Sequence, residues 1–180
     1  MKDLLADVAL RAGRYLDGLD GRPVYPGQEA IGRLSALDFA LPDGPMEAST
    51  VVAMLDEIGS PATVASAGGR YFGFVIGGAL PAALGANWLA GAWDQNGGLA
   101  AASPVAAFVE EVCRKWLVDV LRLPAESEAG FVTGATMANF TALASGRHAV
   151  LARAGWDVEA DGLFGAPPIT VLVGSEVHVS

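Results

Sequence analysis

The amino-acid sequence predicts an α/β fold, on three observations. A short apolar run from Phe131 to Thr133 reads as a buried strand, and Met137 to about Ala154 continues as a helix that stops at Gly155. Beyond a polar, glycine-containing loop, Ile169-Thr170-Val171-Leu172-Val173 is a β-branched run bounded by Pro168 and Gly174, which reads as a second buried strand. Strand, helix and strand in that order describe a parallel crossover unit. Composition agrees, since 52% of the residues are hydrophobic and only 17% charged, enough apolar material for a substantial core and too little charge for disorder.

From the N-terminus, Leu4, Leu5, Val8, Ala12, Tyr15, Leu16 and Leu19 fall on one stripe of an amphipathic helix over residues 3–19. Its apolar face is expected to pack either on another subunit or on its own domain. Two prolines and a glycine make residues 20–26 an extended linker, and a short helical piece follows from Gln28 to Leu37. Pro42, Gly44 and Pro45 break the chain before Met46 to Ile58 resumes a helix pattern. In the segment Ala67 to Gly78, rings alternate with glycines and no helical period emerges. Such a loop either fills core with its aromatics or walls a small-molecule pocket. Pro81 to Trp93 is an alanine-rich helix, stopped by Asp94-Gln95-Asn96-Gly97-Gly98. The clearest helix begins at Ser103-Pro104, a cap followed by proline at the first helical position, and ends at Leu123-Pro124. Its apolar residues repeat at the helical spacing from Val105 to Leu121, with Glu110–Arg114 and Glu111–Lys115 pairs on the wet face.

The net charge is −9 and the eleven basic residues are dispersed, which argues against nucleic acid as a partner. Cys113, the single cysteine, lies on an apolar helix face and reads as a packed thiol. No Cys/His cluster has metal-ligand spacing, so no metal is expected. Between Tyr71 and Trp93 no residue is charged, a length that would span a bilayer, but five glycines, Pro81 and Asn87 interrupt it, and a loop followed by a buried helix fits better. Asp3 and Asp7 interrupt what a signal peptide would need to be basic and then apolar, so a cytoplasmic protein without membrane attachment is expected.

The turn Gly134-Ala135-Thr136 is the place where chemistry is legible. Small side chains there let an anion approach the free N–H groups of the next helix's first turn, and the Thr136 hydroxyl adds a donor. An ordinary strand-to-helix turn with a Thr cap is the plainer reading of the same residues. Ligands in parallel sheets bind at the carboxyl ends of strands, which puts His178, just past the second strand, at the same edge as this turn. Two strands do not complete a sheet of this class.

Four stretches together resemble the pyridoxal-phosphate-dependent (group II) amino-acid decarboxylases, the group that includes aromatic-amino-acid and glutamate decarboxylases. They are Gly69-Arg70-Tyr71-Phe72-Gly73-Phe74; Ala102-Ser103-Pro104-Val105 with Trp116-Leu117 and Leu123-Pro124; Gly130 to Asn139; and Val177-His178-Val179-Ser180. The resemblance implies a fold-type-I, aspartate-aminotransferase-like architecture, with residues 1–100 forming an N-terminal helical segment and aromatic loop, and 101–180 beginning the large parallel-sheet domain. It implies pyridoxal 5'-phosphate as cofactor, its phosphate held at Gly134, Ala135 and Thr136, and His178 stacked on the pyridine ring and exchanging protons with the substrate. It also implies a substrate pocket with Tyr71, Phe72, Phe74 and Val75 in its wall, an amino acid as substrate, and a homodimer with residues of both chains in the pocket.

Three departures from the family pattern stand out. Met137 occupies a position where the family often has Glu. Phe74 stands where glutamate decarboxylases have a polar residue for the substrate's distal carboxylate, which favours an aromatic or apolar amino acid, because a ring does not satisfy a buried carboxylate. The chemistry needs a lysine to hold the cofactor covalently and a carboxylate on the pyridine nitrogen. The chain's two lysines, Lys2 and Lys115, lie at a terminus and on a charged helix face, so an N-terminal portion of a longer enzyme, inactive alone and prone to aggregate, is expected. A transaminase or carbon–sulfur lyase of the same fold, or a non-catalytic assembly domain, are the other readings.

Overall fold

The computed structural model describes residues 1–179; Ser180, which closes the Val177-His178-Val179-Ser180 run, lies outside the described residues. The chain divides into two units, Met1–Ala92 and Trp93–Ser180.

In the first unit, the amphipathic stripe forms α1, Lys2–Asp17, and the chain leaves it where the Gly18 N–H donates to the Arg14 carbonyl at 3.1 Å. The segment after the linker forms α2, Gln28–Arg33, and tightens into a 3₁₀ turn, Leu34–Leu37. The next helical pattern splits into α3, Ala48–Met54, a wide π-type turn, Leu55–Gly59, and a 3₁₀ turn, Ser60–Ala62. An ion cluster fastens α1 to this turn. The Arg11 guanidinium donates to Asp7 at 2.8 Å and to Asp56 at 3.0 Å, Arg14 lies 3.6 Å from Asp56, and the Ser60 hydroxyl donates to Asp56 at 2.9 Å. The Ser60 hydrogen bond first, and then Arg11, hold the Asp56 carboxyl below its ordinary pKa. Arg22 joins the same cluster from the linker, with its guanidinium 4.6 Å from the centre of the Tyr15 ring and a hydrogen bond of 2.6 Å to the Ser60 carbonyl. Helix α4 spans Pro81–Trp93, as the sequence predicts. Between α1 and α4 runs an apolar groove of about 540 Å³, lined by Ala12, Leu16, Leu84 and Trp88, so part of the apolar face of α1 turns toward its own unit.

In the second unit, α5 covers Pro104–Val120. The Ser103 side chain is fully buried and accepts the Ala106 N–H at 3.3 Å, with Pro104 at the first helical position. Ser103→Ala is expected to cost about 1 kcal/mol, read as a lower denaturation midpoint, because the cap hydrogen bond is lost inside a buried site. On the wet face Arg114 turns toward Glu111, at 2.8 and 2.9 Å, and toward Glu128, at 3.3 Å, in place of the expected Glu110. Lys115 completes the group, 3.2 Å from Glu111. The Arg114 and Lys115 hydrogen bonds lower the Glu111 carboxyl from its ordinary 4.5 to about 2. A depressed carboxylate stabilises above its unfolded value and loses that contribution as pH falls through its folded value. The cluster should therefore be fully stabilising above the ordinary 4.5 and lost only as pH falls toward about 2. An NMR titration of the Glu111 carboxyl carbon checks this, and a midpoint near the ordinary value would contradict the cluster.

Helix α6, Ala135–Arg153, starts two residues before the predicted Met137 and ends as Gly155 takes φ of +80°. Asp157 caps the short α7, Val158–Asp161, by accepting the Glu159 and Ala160 N–H groups. Leu151 and Val158 are buried between these helices, and the Trp156 indole N–H donates to the Gly162 carbonyl at 2.9 Å.

Among the described residues no strand forms. Residues 131–133 and 169–173 have no ladder partner, and most of their apolar side chains are exposed; Leu172 retains 91% of its accessible surface. A strand exists only by hydrogen-bonding to another, and a parallel pair in particular requires neighbours on both sides to be buried. The chain exposes 14200 Å². A compact chain of 18.4 kDa exposes about 8,200 Å², and even two separate halves would expose about 9,900 Å². The surplus includes large apolar side chains of α5 and α6, among them Phe108, Trp116, Val120 and Phe140.

Candidate functional site

The residues predicted to hold a phosphate come together at the start of α6. Gly134 is the N-cap in an extended conformation, with φ of 170° and ψ of 173°, and no side chain caps the helix. The first intrahelical bond runs from the Ala138 N–H to the Gly134 carbonyl at 3.0 Å. That leaves the N–H groups of Ala135, Thr136 and Met137 as the unpaired donors of the first turn, at the positive end of the helix dipole. A Cβ built on Gly134 would meet nothing within 4 Å, so the approach is open. Thr136 and its neighbours are exposed. The plainer expectation of a Thr side-chain cap does not hold here, because Gly134 is the cap residue and Thr136 is the second residue of the helix. This arrangement fits a phosphate: three backbone donors, a hydroxyl, and no carboxylate in the first turn.

His178 belongs to the same unit and follows a turn in which the Val177 N–H donates to the Gly174 carbonyl at 3.3 Å; the residue is exposed. Neither lysine suits covalent attachment of a cofactor. Lys2 opens α1, and Lys115 is paired with Glu111 on α5. The turn thus fits the phosphate of pyridoxal phosphate, and nothing among the described residues fits its covalent anchor.

Tyr71, Phe72, Phe74 and Val75 lie in the first unit. The Tyr71 ring packs over Gly73, where an added Cβ would stand 2.8 Å from the phenol oxygen, so a side chain there would push the ring aside. Phe72 and Phe74 are exposed to 93% and 91%, and Val75 is fully exposed. The Gly73 carbonyl accepts the Ile76 N–H at 3.2 Å, and the residues between have φ of +53° at Phe74 and +56° at Val75. Positive φ at both central positions is the mark of a type I′ turn, which ordinarily takes Asn-Gly. Phenylalanine and a β-branched valine there are strained, by about 1–3 kcal/mol each. Sequence reasoning did not find the turn, because Phe-Val carries no turn signature. Nor did it find the Arg70 anchor, a contact to main-chain carbonyls some fifty positions away.

Two curated proteins are similar to this chain. The aromatic-L-amino-acid decarboxylase of Rattus norvegicus is 33% identical over 131 residues, which are 72% of this chain and 26% of that protein. The aromatic-L-amino-acid decarboxylase of Mus musculus is 32% identical over a stretch of the same length, again 72% of this chain and 26% of the relative. The chain therefore spans about a quarter of the length of the curated relatives it matches. No protein-family model and no solved structure matches it. Among the described residues no helix is long and apolar enough to cross a membrane.

Proposed function

We propose that this chain carries the phosphate-binding part of the pyridoxal-phosphate site of an amino-acid decarboxylase. The observation that carries the reading is the uncapped start of α6 at Gly134-Ala135-Thr136, within a chain of which 72% aligns with aromatic-L-amino-acid decarboxylases. Bound there, the cofactor would supply the electron sink that accepts the electrons left by departing CO2. Ala135 and Thr136 hold the phosphate through their N–H groups and the Thr136 hydroxyl. His178 lies against the ring and holds or moves a proton at its imidazole nitrogen. Phe72, Phe74 and Val75 meet the substrate's side chain, and the apolar wall favours an aromatic or apolar amino acid over glutamate.

The covalent lysine and the carboxylate for the pyridine nitrogen come, in this reading, from residues outside these 180. The aligned stretch is 26% of each relative, and the remainder has room for both. In the same reading, residues outside these 180 supply the partners of the two strand-like segments and complete an α/β, fold-type-I architecture. Cover for the surplus apolar surface comes from them and from a second copy in a homodimer.

The test is product analysis on the full-length protein with carboxyl-labelled L-amino acids. CO2 and the corresponding amine in equal amounts, from an aromatic substrate in preference to glutamate, is the expected result. An exchanged amino group with a keto acid and no CO2 would show a transaminase instead.

A further inference from the structure

We propose that Arg70 is a positioning residue for the substrate's side chain, which it orients without touching it. The proposal rests on the reading of the aromatic loop as a substrate wall. The Arg70 terminal nitrogen Nη2 donates to two main-chain carbonyls of the linker, Asp20 at 2.7 Å and Arg22 at 2.6 Å. These carbonyls are themselves fixed. Arg22 stacks on Tyr15 of α1 and reaches the Ser60 carbonyl, and two residues further on Val24 accepts the Ala65 N–H at 2.9 Å, with Ala65 buried. The linker is thus the point where α1, the 55–62 turns and the start of the aromatic loop are joined.

Between Arg70 and Ile76 the loop's own hydrogen bonds are short-range. The Tyr71 N–H donates to the Gly68 carbonyl at 3.2 Å and the Ile76 N–H to the Gly73 carbonyl. The strained turn at Phe74 and Val75 therefore keeps its shape from within and its direction from its root. A charge-assisted double hydrogen bond fixes that root to the linker, and the chain comes back against α1 only past the turn, at Ala79 in the groove. Losing it frees the direction of Phe72, Phe74 and Val75 together, whereas losing one ring removes only that ring's contact. A residue that acts this way should change substrate KM more than kcat, since it governs where the side chain is held and not the bond that breaks.

The experiment uses the full-length protein with Arg70→Ala, Arg70→Lys and Phe74→Ala. Chymotryptic cleavage after Tyr71, Phe72 and Phe74 is followed by mass spectrometry, alongside kcat and KM for an aromatic amino acid. Arg70→Ala is expected to speed cleavage at these bonds about tenfold and to raise KM about tenfold with kcat within about twofold. Arg70→Lys, whose ammonium can still donate to both carbonyls, should stay within about threefold of the parent in both. Cleavage unchanged in Arg70→Ala would overturn the tether and the proposal with it. Faster cleavage with KM unchanged in both Arg70→Ala and Phe74→Ala would leave the tether standing and sink the substrate-wall reading, and the positioning role would fall with that reading.

Discussion

Replacing His178 with phenylalanine in the full-length protein is expected to lower kcat about 100-fold or more, with cofactor affinity little changed. Phenylalanine keeps a flat ring of similar breadth against the pyridine but has no nitrogen to carry a proton, and positioned proton transfer contributes roughly 10²–10⁴-fold. His178→Ala removes the ring as well and should weaken cofactor binding in addition. The pair of variants separates the two roles, as kcat reports the proton and cofactor affinity the stack. Equal kcat in His178→Phe and the parent would remove His178 from the chemistry and leave it a packing residue.

The second large effect concerns the lysines. The 180 residues alone, mixed with pyridoxal phosphate and reduced with borohydride, should carry no stoichiometric phosphopyridoxyl group, and no CO2 should be released from an amino acid. Lys115 lies 3.2 Å from Glu111, which Arg114 also holds, so its ammonium is paired, while an amine must be neutral to attack a carbonyl. Lys2 stands exposed in the first turn of α1. In the full-length protein the same treatment should label one lysine outside residues 1–180, identified by peptide mass. Stoichiometric label on Lys115 would contradict the division of the cofactor site that is proposed here.

The helices were legible in the sequence because their signals are local. Ser103-Pro104 is a cap and a first-turn proline within two residues, and α5 begins where they say. Gly155 ends α6 because only its freedom at φ of +80° lets the chain turn there. The start of α6 was read two residues late, since Ala135 and Thr136 look like turn residues and are in fact its first turn. That error matters for function, because it is the first-turn amides that face an anion.

Contacts between distant residues were not legible. Arg11 and Asp56 are far apart in sequence, and no periodicity links a charge on α1 to one in a turn. The tie from Arg70 to the linker ends on carbonyl oxygens, which every residue has, so no side-chain pattern announces it. The type I′ geometry at Phe74-Val75 runs against local preference, and sequence reasoning fails at such strained positions by its nature. Strands stand between these cases. The runs at 131–133 and 169–173 have strand composition, but pairing is a property of a sheet, and the described residues contain no partner for either.

The start of α6 is the feature on which the cofactor reading depends, and a single proline tests it. Ala135→Pro is compatible with the first helical position and with the extended Gly134 before it, so α6 should be retained while one donor to the phosphate is deleted. Thr136→Ala deletes the hydroxyl. A hydrogen bond to a charged group contributes about 1.5–3 kcal/mol, so each variant is expected to weaken pyridoxal phosphate binding by roughly 10- to 100-fold. The measurement is the Kd of the full-length protein for pyridoxal phosphate, and in parallel for pyridoxal, which has the ring and aldehyde but no phosphate. A loss confined to the phosphorylated ligand is the predicted result. Unchanged affinity for pyridoxal phosphate in both variants would contradict the account.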